Sequence, residues 1–351
     1  MDALLKYLLE KIAISLLGIE LAIMLSCAIA IVIIKCITKI VAKHRLYVQD
    51  KISTMIEQFL LQDKNVEELV IPRTMRQCRN LIEVLEKFDQ RFIDERWLEI
   101  KEKINSTYLL PLAPAYASSF SWVKRQFAAR SSLLSPRLAN PAVIGQLLED
   151  KRYLVRVAAA VCVTQMSSQE LFFRVIHMMS EETPLAQFPY RDALIEVSEE
   201  KYGWITSLLS TTTDDKIRAI CLDILPLRYS PHLFALIQPF VTSGHRPCRL
   251  LAIKGIATIN SEEAIEMLIR HLEDSEWEVR AESAIGLRQL HVIRAIPNLK
   301  ERLNDPVWWV RLQAALALKN LGEPGVNVLL SKELDLYPHA AQIARYALAL
   351  P

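Results

Sequence analysis

Apolar positions along the chain fall into two regimes. The first is continuous. Ile12 to Ile34 reads IAISLLGIELAIMLSCAIAIVII, an apolar run interrupted by one charge, Glu20. At ~1.5 Å of rise per helical residue such a run crosses a ~30 Å hydrocarbon layer with some tilt. It predicts a transmembrane helix. A second register, Leu21 to Ala42, excludes Glu20 but takes in Lys35 and Lys39, whose long stems can reach an interface. The span Ile14–Ile34, with Glu20 in its outer third, is the one expected. The second regime is periodic. Beyond the span, apolar residues recur every three to four positions, the spacing of amphipathic helices. Val41 to Leu61 places Ile52, Met55, Ile56, Phe59 and Leu60 on one stripe. Breaks are predicted at Gln62–Asn65 and at Pro72. An amphipathic helix, Met75–Phe92, and a charged one, Ile93–Ile104, should follow, the latter closed by Asn105, Ser106 and Thr107.

Within the periodic regime one stretch says the same thing twice. AIEMLIRHLEDSEWEVRAESAIGLRQL runs from Ala264 to Leu290, and AIPNLKERLNDPVWWVRLQAALALKNL from Ala295 to Leu321. One fixed offset relates Leu272/Leu303, Asp274/Asp305, Trp277/Trp308, Val279/Val310, Arg280/Arg311 and Leu287/Leu318. A fixed period in the range of about 20–50 residues is the signature of a solenoid. The same step taken back from Arg280 reaches Arg249 and then Arg218, and it also separates Arg156 from Arg125. Between these groups the register is expected to slip, with Arg191 as the arginine of its repeat. An arginine would then open the second helix of hairpins at 125, 156, 191, 218, 249, 280 and 311.

Aspartates stand six residues before three of these arginines: Asp150/Arg156, Asp274/Arg280 and Asp305/Arg311. Each is placed to cap the second helix by accepting a backbone N–H, with Pro306 at the first helical position. Each carboxylate can also meet the arginine of its own or a neighbouring repeat, as a structural ladder. Ser243 and Thr212 take that position elsewhere, so the ladder should be incomplete. Gly255 and Gly286 share a register, where a small residue lets helices approach closely.

The pattern Leu-x-Asp-x-x-Trp-x-Val-Arg-x-x-x-Ala-x-x-Leu, recurring at this period, resembles the short bacterial HEAT repeats named after phycobiliprotein lyases. The resemblance is closest over 264–322 and fades toward 108–132, 170–210 and 326–350. It implies stacked helical hairpins that present a surface to protein partners. Some HEAT-like proteins are metal hydroxylases built on His-Glu dipeptides. None occurs here: His44, His177, His232, His245, His271, His291 and His339 all precede other residues. The family's other enzymatic branch attaches bilins, and nothing in the chain identifies a bilin site.

Composition narrows the picture. The chain has 351 residues, 52% of them hydrophobic, only 8 glycines and a formal net charge of +2. Together with the spacing this predicts an all-α protein: an N-terminal transmembrane helix followed by an α-solenoid of HEAT-like hairpins. The expected divisions are an anchor with a basic flank over 1–45, a helical stalk or irregular hairpins over 46–107, and the solenoid over 108–351. The near-neutral charge gives no case for nucleic acid. Six cysteines, Cys27, Cys36, Cys78, Cys162, Cys221 and Cys248, form no CxxC pair, and most sit in apolar runs as small buried hydrophobes. His245 and Cys248 lie close, but a metal or a nucleophile would need a third group. No P-loop, dinucleotide fingerprint or GxSxG elbow occurs, and no cofactor, metal or small-molecule substrate is implied.

Lys35, Lys39, Lys43, His44 and Arg45 follow the span, while Lys6 and Lys11 before it are offset by Asp2 and Glu10. The positive-inside rule places the C-terminal part in the cytoplasm. A cleaved signal peptide is disfavoured by the length of the run and its acidic flank. Glu20 reads either as an intramembrane polar contact or as a carboxyl reaching the outer interface. Trp277 and Trp308 precede the second helix of their repeats, where they should pack between hairpins. Trp309 has no counterpart, Glu278 standing there, and is the best candidate for an exposed anchor. Trp309, Trp308 and Trp277 are therefore the candidate partner-binding residues. The expectation is a single-pass inner-membrane scaffold or adaptor whose cytoplasmic repeats hold a membrane or membrane-proximal protein, with the bilayer engaged through Ile12–Ile34. Anchored HEAT proteins of this appearance suggest envelope-polysaccharide glycosyltransferase machinery as the company. The alternative is a lyase-like or hydroxylase-like accessory enzyme acting on a client protein.

Overall fold

In a computed structural model the chain is all-α, with no strand among the described residues. These are residues 2–62, 65–228, 232–331 and 337–350, with side chains described from residue 18 onward except at 22. The expected break at 62–65 thus lies partly outside them, as do the side chains of Ile12–Leu17 and Ala22 in the expected span. The helices are α1 Asp2–Leu61, α2 Cys78–Asp89, α3 Glu95–Tyr108, α4 Ala113–Ala117, α5 Trp122–Leu134, α6 Pro141–Leu148, α7 Tyr153–Val163, α8 Gln169–Glu181, α9 Pro184–Ile195 and α10 Glu199–Thr211. There follow α11 Asp215–Ile224, α12 Leu233–Ile237, α13 Arg246–Ile256, α14 Glu262–His271, α15 Trp277–Gln289, α16 Ile296–Arg302, α17 Trp308–Asn320, α18 Glu323–Leu329 and α19 Pro338–Ala349. The chain divides into two compact units, 1–159 and 160–351, with the boundary inside α7.

In the first unit α1 is one unbroken helix whose two ends do different things. From Gly18 to Leu61 it is 44 residues long, and the apolar window within it has a mean hydropathy of 2.5 with none of it buried in protein. By length and composition this is the one helix among the described residues apolar enough to cross a membrane. Its C-terminal turns are core instead. Val48, Ile52 and Ile56 are buried against Leu81, Ile82, Leu85 and Phe88 of α2 and Trp97, Ile100 and Ile104 of α3. Asp94 starts α3 by accepting the Trp97 N–H at 2.7 Å, a side-chain N-cap. Asn105 does not close α3, as its composition suggested. The helix runs on to Tyr108, and Asn105 is fully buried, donating to Ser131 O and Ser135 Oγ at 2.8 Å each.

In the second unit the helices alternate as hairpins, and the buried faces of α11, α13, α15 and α17 are the apolar positions that the helical periodicity marks. Gly255 and Gly286 sit where those helices meet their neighbours most closely. A Cβ on Gly286 would stand 2.7 Å from Ala257 Cβ and 3.2 Å from both Leu268 Cδ atoms. A Cβ on Gly255 would stand 2.8 Å from Pro226 Cγ.

The first residues of α5, α7, α9, α11, α13, α15 and α17 keep an unbroken frame: Trp122, Tyr153, Pro184, Asp215, Arg246, Trp277 and Trp308, evenly spaced at the period of the sequence repeat. The slip expected near Leu185–Arg191 does not exist. The register position of the repeat arginine between Arg156 and Arg218 is Gln187, not Arg191. Gln187 keeps one bond of this kind with a neutral amide, its Nε2 donating to Glu182 O at 3.2 Å as Arg280 does to Ser275 O, and it also reaches Met179 O at 3.0 Å. Arg191, one turn on, pairs with Asp223 at 3.0 Å. Pro306 also moves: it lies in the loop, two residues before α17 begins.

Candidate functional site

The loops that lead into the second helices share one construction. Before six of these helices, all but α9, the residue three before the helix has a side-chain oxygen that accepts the N–H two residues on. Asp150 does this for Arg152 at 2.8 Å, Asp274 for Glu276 at 2.9 Å and Asp305 for Val307 at 2.9 Å. Ser119, Thr212 and Ser243 do the same through hydroxyls at 3.2 Å each. The role is an Asx- or ST-turn that sets the entry of the helix, so these residues stand outside the helices rather than as their N-caps. The arginine six residues on then donates Nη1 to the backbone carbonyl of that same turn residue. Arg125, Arg156, Arg249, Arg280 and Arg311 do so at 2.6–2.9 Å.

The carboxylates go elsewhere. Each aspartate meets the arginine of the preceding repeat. Arg280 grips Asp305 with Nε at 2.7 Å and Nη2 at 2.9 Å, and the pair is buried. Arg125 grips Asp150 in the same way, with Nη2 at 3.2 Å. Arg249 holds Asp274 more loosely, at 3.2 and 3.4 Å. The ladder therefore runs between repeats, while within a repeat the arginine bonds the backbone carbonyl of the turn. Burial works against the Asp150 carboxylate, but the Arg125 guanidinium, the Arg152 N–H and the Arg156 charge outweigh it and hold its pKa below the usual carboxylate value. The Asp305 carboxylate raises the pKa of Arg280 against the cost of burial. Thr212 and Ser243 keep the turn and lose the ion pair, and Arg218 turns to Asp215 at 2.8 Å instead. Of the six expected ladder residues, Asp150, Asp274, Asp305 and Arg280 form ion pairs that fix the loop edge, and Arg156 and Arg311 tie their own turns through the backbone carbonyl.

On that edge stand the tryptophans. Trp277 and Trp308 are the first residues of α15 and α17, and they do not pack between hairpins: 38% and 50% of their surfaces are exposed. Trp309 is 44% exposed, and its ring lies 5.9 Å from that of Trp308. Trp277 and Trp308 each open their helix, two residues before the buried Val279 or Val310, so the ring is only partly covered. Arg246, in the same register as Trp277, lies over the edge to pair with Glu278. Glu20 is exposed on α1.

One cluster was half visible in the sequence. His245 Nδ1 lies 3.2 Å from Cys248 Sγ, and Asp215 brings a third donor, all three groups offering ligand atoms within 4.8 Å of one another. The third group comes from the preceding repeat, which spacing within a motif could not show. Its chemistry is nevertheless that of packing. Cys248 takes the register of Val155, Ile217, Val279 and Val310, all buried. Its thiol donates to Asp215 O at 3.3 Å, and burial pushes its pKa up to about 11. The Asp215 carboxylate is engaged by Arg218. A cavity of about 440 Å³ opens beside His245, lined by Met179, Lys216, Ile220, Asp223 and Leu251.

Residues 203–288, 231–319 and 268–335 match the family described as HEAT repeats. No curated protein matches the chain. Among solved structures it is similar to YibA of E. coli, at 15% identity over 66% of this chain and 98% of that one, with a TM-score of 0.40. It is similar to Kap121p bound to Pho4p, at 14% identity over 80% of this chain and 42% of that one, TM-score 0.42. It is similar to human deoxyhypusine hydroxylase, at 18% identity over 70% and 97%, TM-score 0.29.

Proposed function

We propose, taking as premise that the chain carries HEAT repeats over 203–335, that it is an adaptor which holds a protein partner on the loop edge of its repeats while α1 anchors it in a membrane. The observation that carries the reading is the Trp308–Trp309 pair. Two large rings lie half exposed and side by side on an edge that bonded turns and buried ion pairs make rigid. Exposed aromatics on a preorganised surface are what protein interfaces use as anchors, because little side-chain entropy remains to be lost.

The anchor reading rests on the apolar part of α1 and on the basic residues Lys35, Lys39, Lys43 and Arg45 that follow it. The C-terminal part would face the cytoplasm. Because Val48, Ile52 and Ile56 of the same helix are core, an anchored α1 would hold the first unit at a fixed height above the bilayer rather than on a loose tether. A partner in or near the membrane follows from that restriction, and envelope-polysaccharide glycosyltransferase machinery is the class the resemblance suggests. Crosslinking in native membranes, with W308A/W309A beside wild type, tests the adaptor reading. Discrete adducts lost in the variant support it; an identical adduct pattern in both removes it.

The accessory-enzyme reading draws on one observation, the Asp215, His245 and Cys248 cluster beside its cavity. Metal analysis of the purified chain decides it. Stoichiometric iron or zinc that is lost in H245A would favour the enzyme over the adaptor.

A further inference from the structure

The carboxylate-binding side of the ladder arginines is filled by the next repeat's aspartate at three repeats; Arg218 faces Ser243 in that register and pairs with Asp215 instead, and Arg311 has no carboxylate among the described residues. Arg125, Arg249 and Arg280 each turn Nε and Nη2 onto the aspartate of the next repeat. Arg311 makes the same carbonyl contacts as Arg280, Nη1 donating to Asp305 O at 2.7 Å and Pro306 O at 3.0 Å. Its guanidinium is therefore held in the same pose. The matching position in the following segment is Leu336, which offers no carboxylate. Nε of Arg311 is buried and, among the described residues, has no hydrogen-bond partner. The nearby Asp305 carboxylate is not free to serve it, being gripped by Arg280. A cavity of about 450 Å³ opens in front, lined besides Arg311 by Asn304, Asp305, Pro306, Tyr337 and His339.

We propose that Arg311 is a receptor for a carboxylate presented by a partner protein. A guanidinium cannot shed its charge, and a buried N–H without a partner is costly, so the site favours an acceptor that restores both missing bonds. The fork matches a carboxylate bidentately, and the other repeats show it doing so in this frame. A phosphate dianion is disfavoured, because the Asp305 carboxylate lines the same cavity. The source is a protein because Trp308 and Trp309 lie exposed in the same helical turn as Arg311. An acidic residue flanked by apolar ones would engage the charge and the rings together. In this last step the proposal rests on the adaptor reading.

The test uses the full-length chain in detergent with 15N-labelled arginine, reading the Arg311 side-chain Nε–Hε resonance, assigned by its loss in R311K. Acetyl-Leu-Asp-Leu-amide should shift that resonance saturably and leave that of Arg280 in place. The Asn counterpart should need at least about tenfold more peptide, the loss expected for a missing charge-assisted pair. Acetyl-Leu-Leu with a free C-terminus distinguishes a terminal carboxylate from a side chain. Glu333 and Asp335 adjoin Leu336 in the sequence, so E333Q/D335N is titrated beside wild type. An unchanged response keeps the site for a partner, and a response gained only in the variant assigns it to the chain's own carboxylates. No shift with either acid, equal response to the Asp and Asn peptides, or tighter binding of inorganic phosphate overturns the proposal. Should R311K fail to fold, the Asp-against-Asn contrast on the wild-type chain still decides. An unmoved Arg311 resonance together with adducts lost in W308A/W309A would leave the adaptor standing and remove only this inference.

Discussion

Asp305→Asn is the sharpest probe of the ladder, because it separates two roles of one side chain. The amide keeps an oxygen for the Val307 N–H, so the turn survives. It removes the charge that Arg280 grips at 2.7 and 2.9 Å. The two side chains are only 2% and 10% exposed, so Arg280 is left buried and uncompensated. Breaking a buried pair from one side costs about 3–5 kcal/mol. Arg280 retains its Nη1 bonds to Asp274 O and Ser275 O, which lowers the expected cost to about 2–3 kcal/mol. At about 2–4 °C per kcal/mol for a unit of this size, the melting temperature should fall by about 4–12 °C. Thermal unfolding by circular dichroism measures the fall, and hydrogen exchange of the 277–320 amides localises it. R280M should cost a similar amount, and the double variant much less than the sum, with a coupling of about 1–3 kcal/mol. A D305N chain within about 0.5 kcal/mol of wild type, or a strictly additive double variant, would refute the ladder as a stabilising element.

Asp150→Asn should open a stability gap at neutral pH that closes on acidification. The wild-type carboxyl titrates below its ordinary 3.8, so its contribution is complete above that value and lost as pH falls through the lower folded one. Melting curves of both chains from pH 7 to about pH 2 should converge, and a gap constant with pH contradicts the ion pair with Arg125. Gly286→Ala should destabilise by about 1–3 kcal/mol despite alanine's better helix propensity, since its Cβ meets Ala257 at 2.7 Å; chemical denaturation with a rise in stability would show the close approach to be relaxed. Cys162, Cys221 and Cys248 have thiols pushed up to about 12, about 12 and about 11 by burial. Their alkylation in the folded chain at pH 8 should be slower than after unfolding by orders of magnitude, and fast labelling at Cys248 would contradict its place in the core.

The helical frame could be read from the chain, and its details depended on what each residue's job leaves visible. Asp274, Trp277, Val279 and Arg280 repeat at Asp305, Trp308, Val310 and Arg311 because turn, first helical turn and core slot all need the same chemistry twice. The frame through 184–187 is hidden in the sequence because an amide, Gln187, stands in the arginine slot and keeps one of its carbonyl bonds, and Arg191 lies close enough to pass for the repeat arginine. The partner of each aspartate was open between two choices, since a carboxylate and an arginine six residues apart look like a pair. Only the fold shows that the mate stands in the preceding repeat. Asp215 was missed beside His245 and Cys248 for a similar reason: it comes from the start of the preceding second helix. The core role of Asn105 was hidden because asparagine near an expected helix end reads as a stop signal.

The most direct test of the adaptor places a photo-crosslinking amino acid at Trp309 and, in a second chain, at Leu185, which is 80% exposed at the start of α9. Both are irradiated in native membranes. The account predicts a discrete protein adduct from position 309 that stays with the membrane fraction, and none of that mass from 185. No adduct at 309, or the same adducts from both positions, would contradict it.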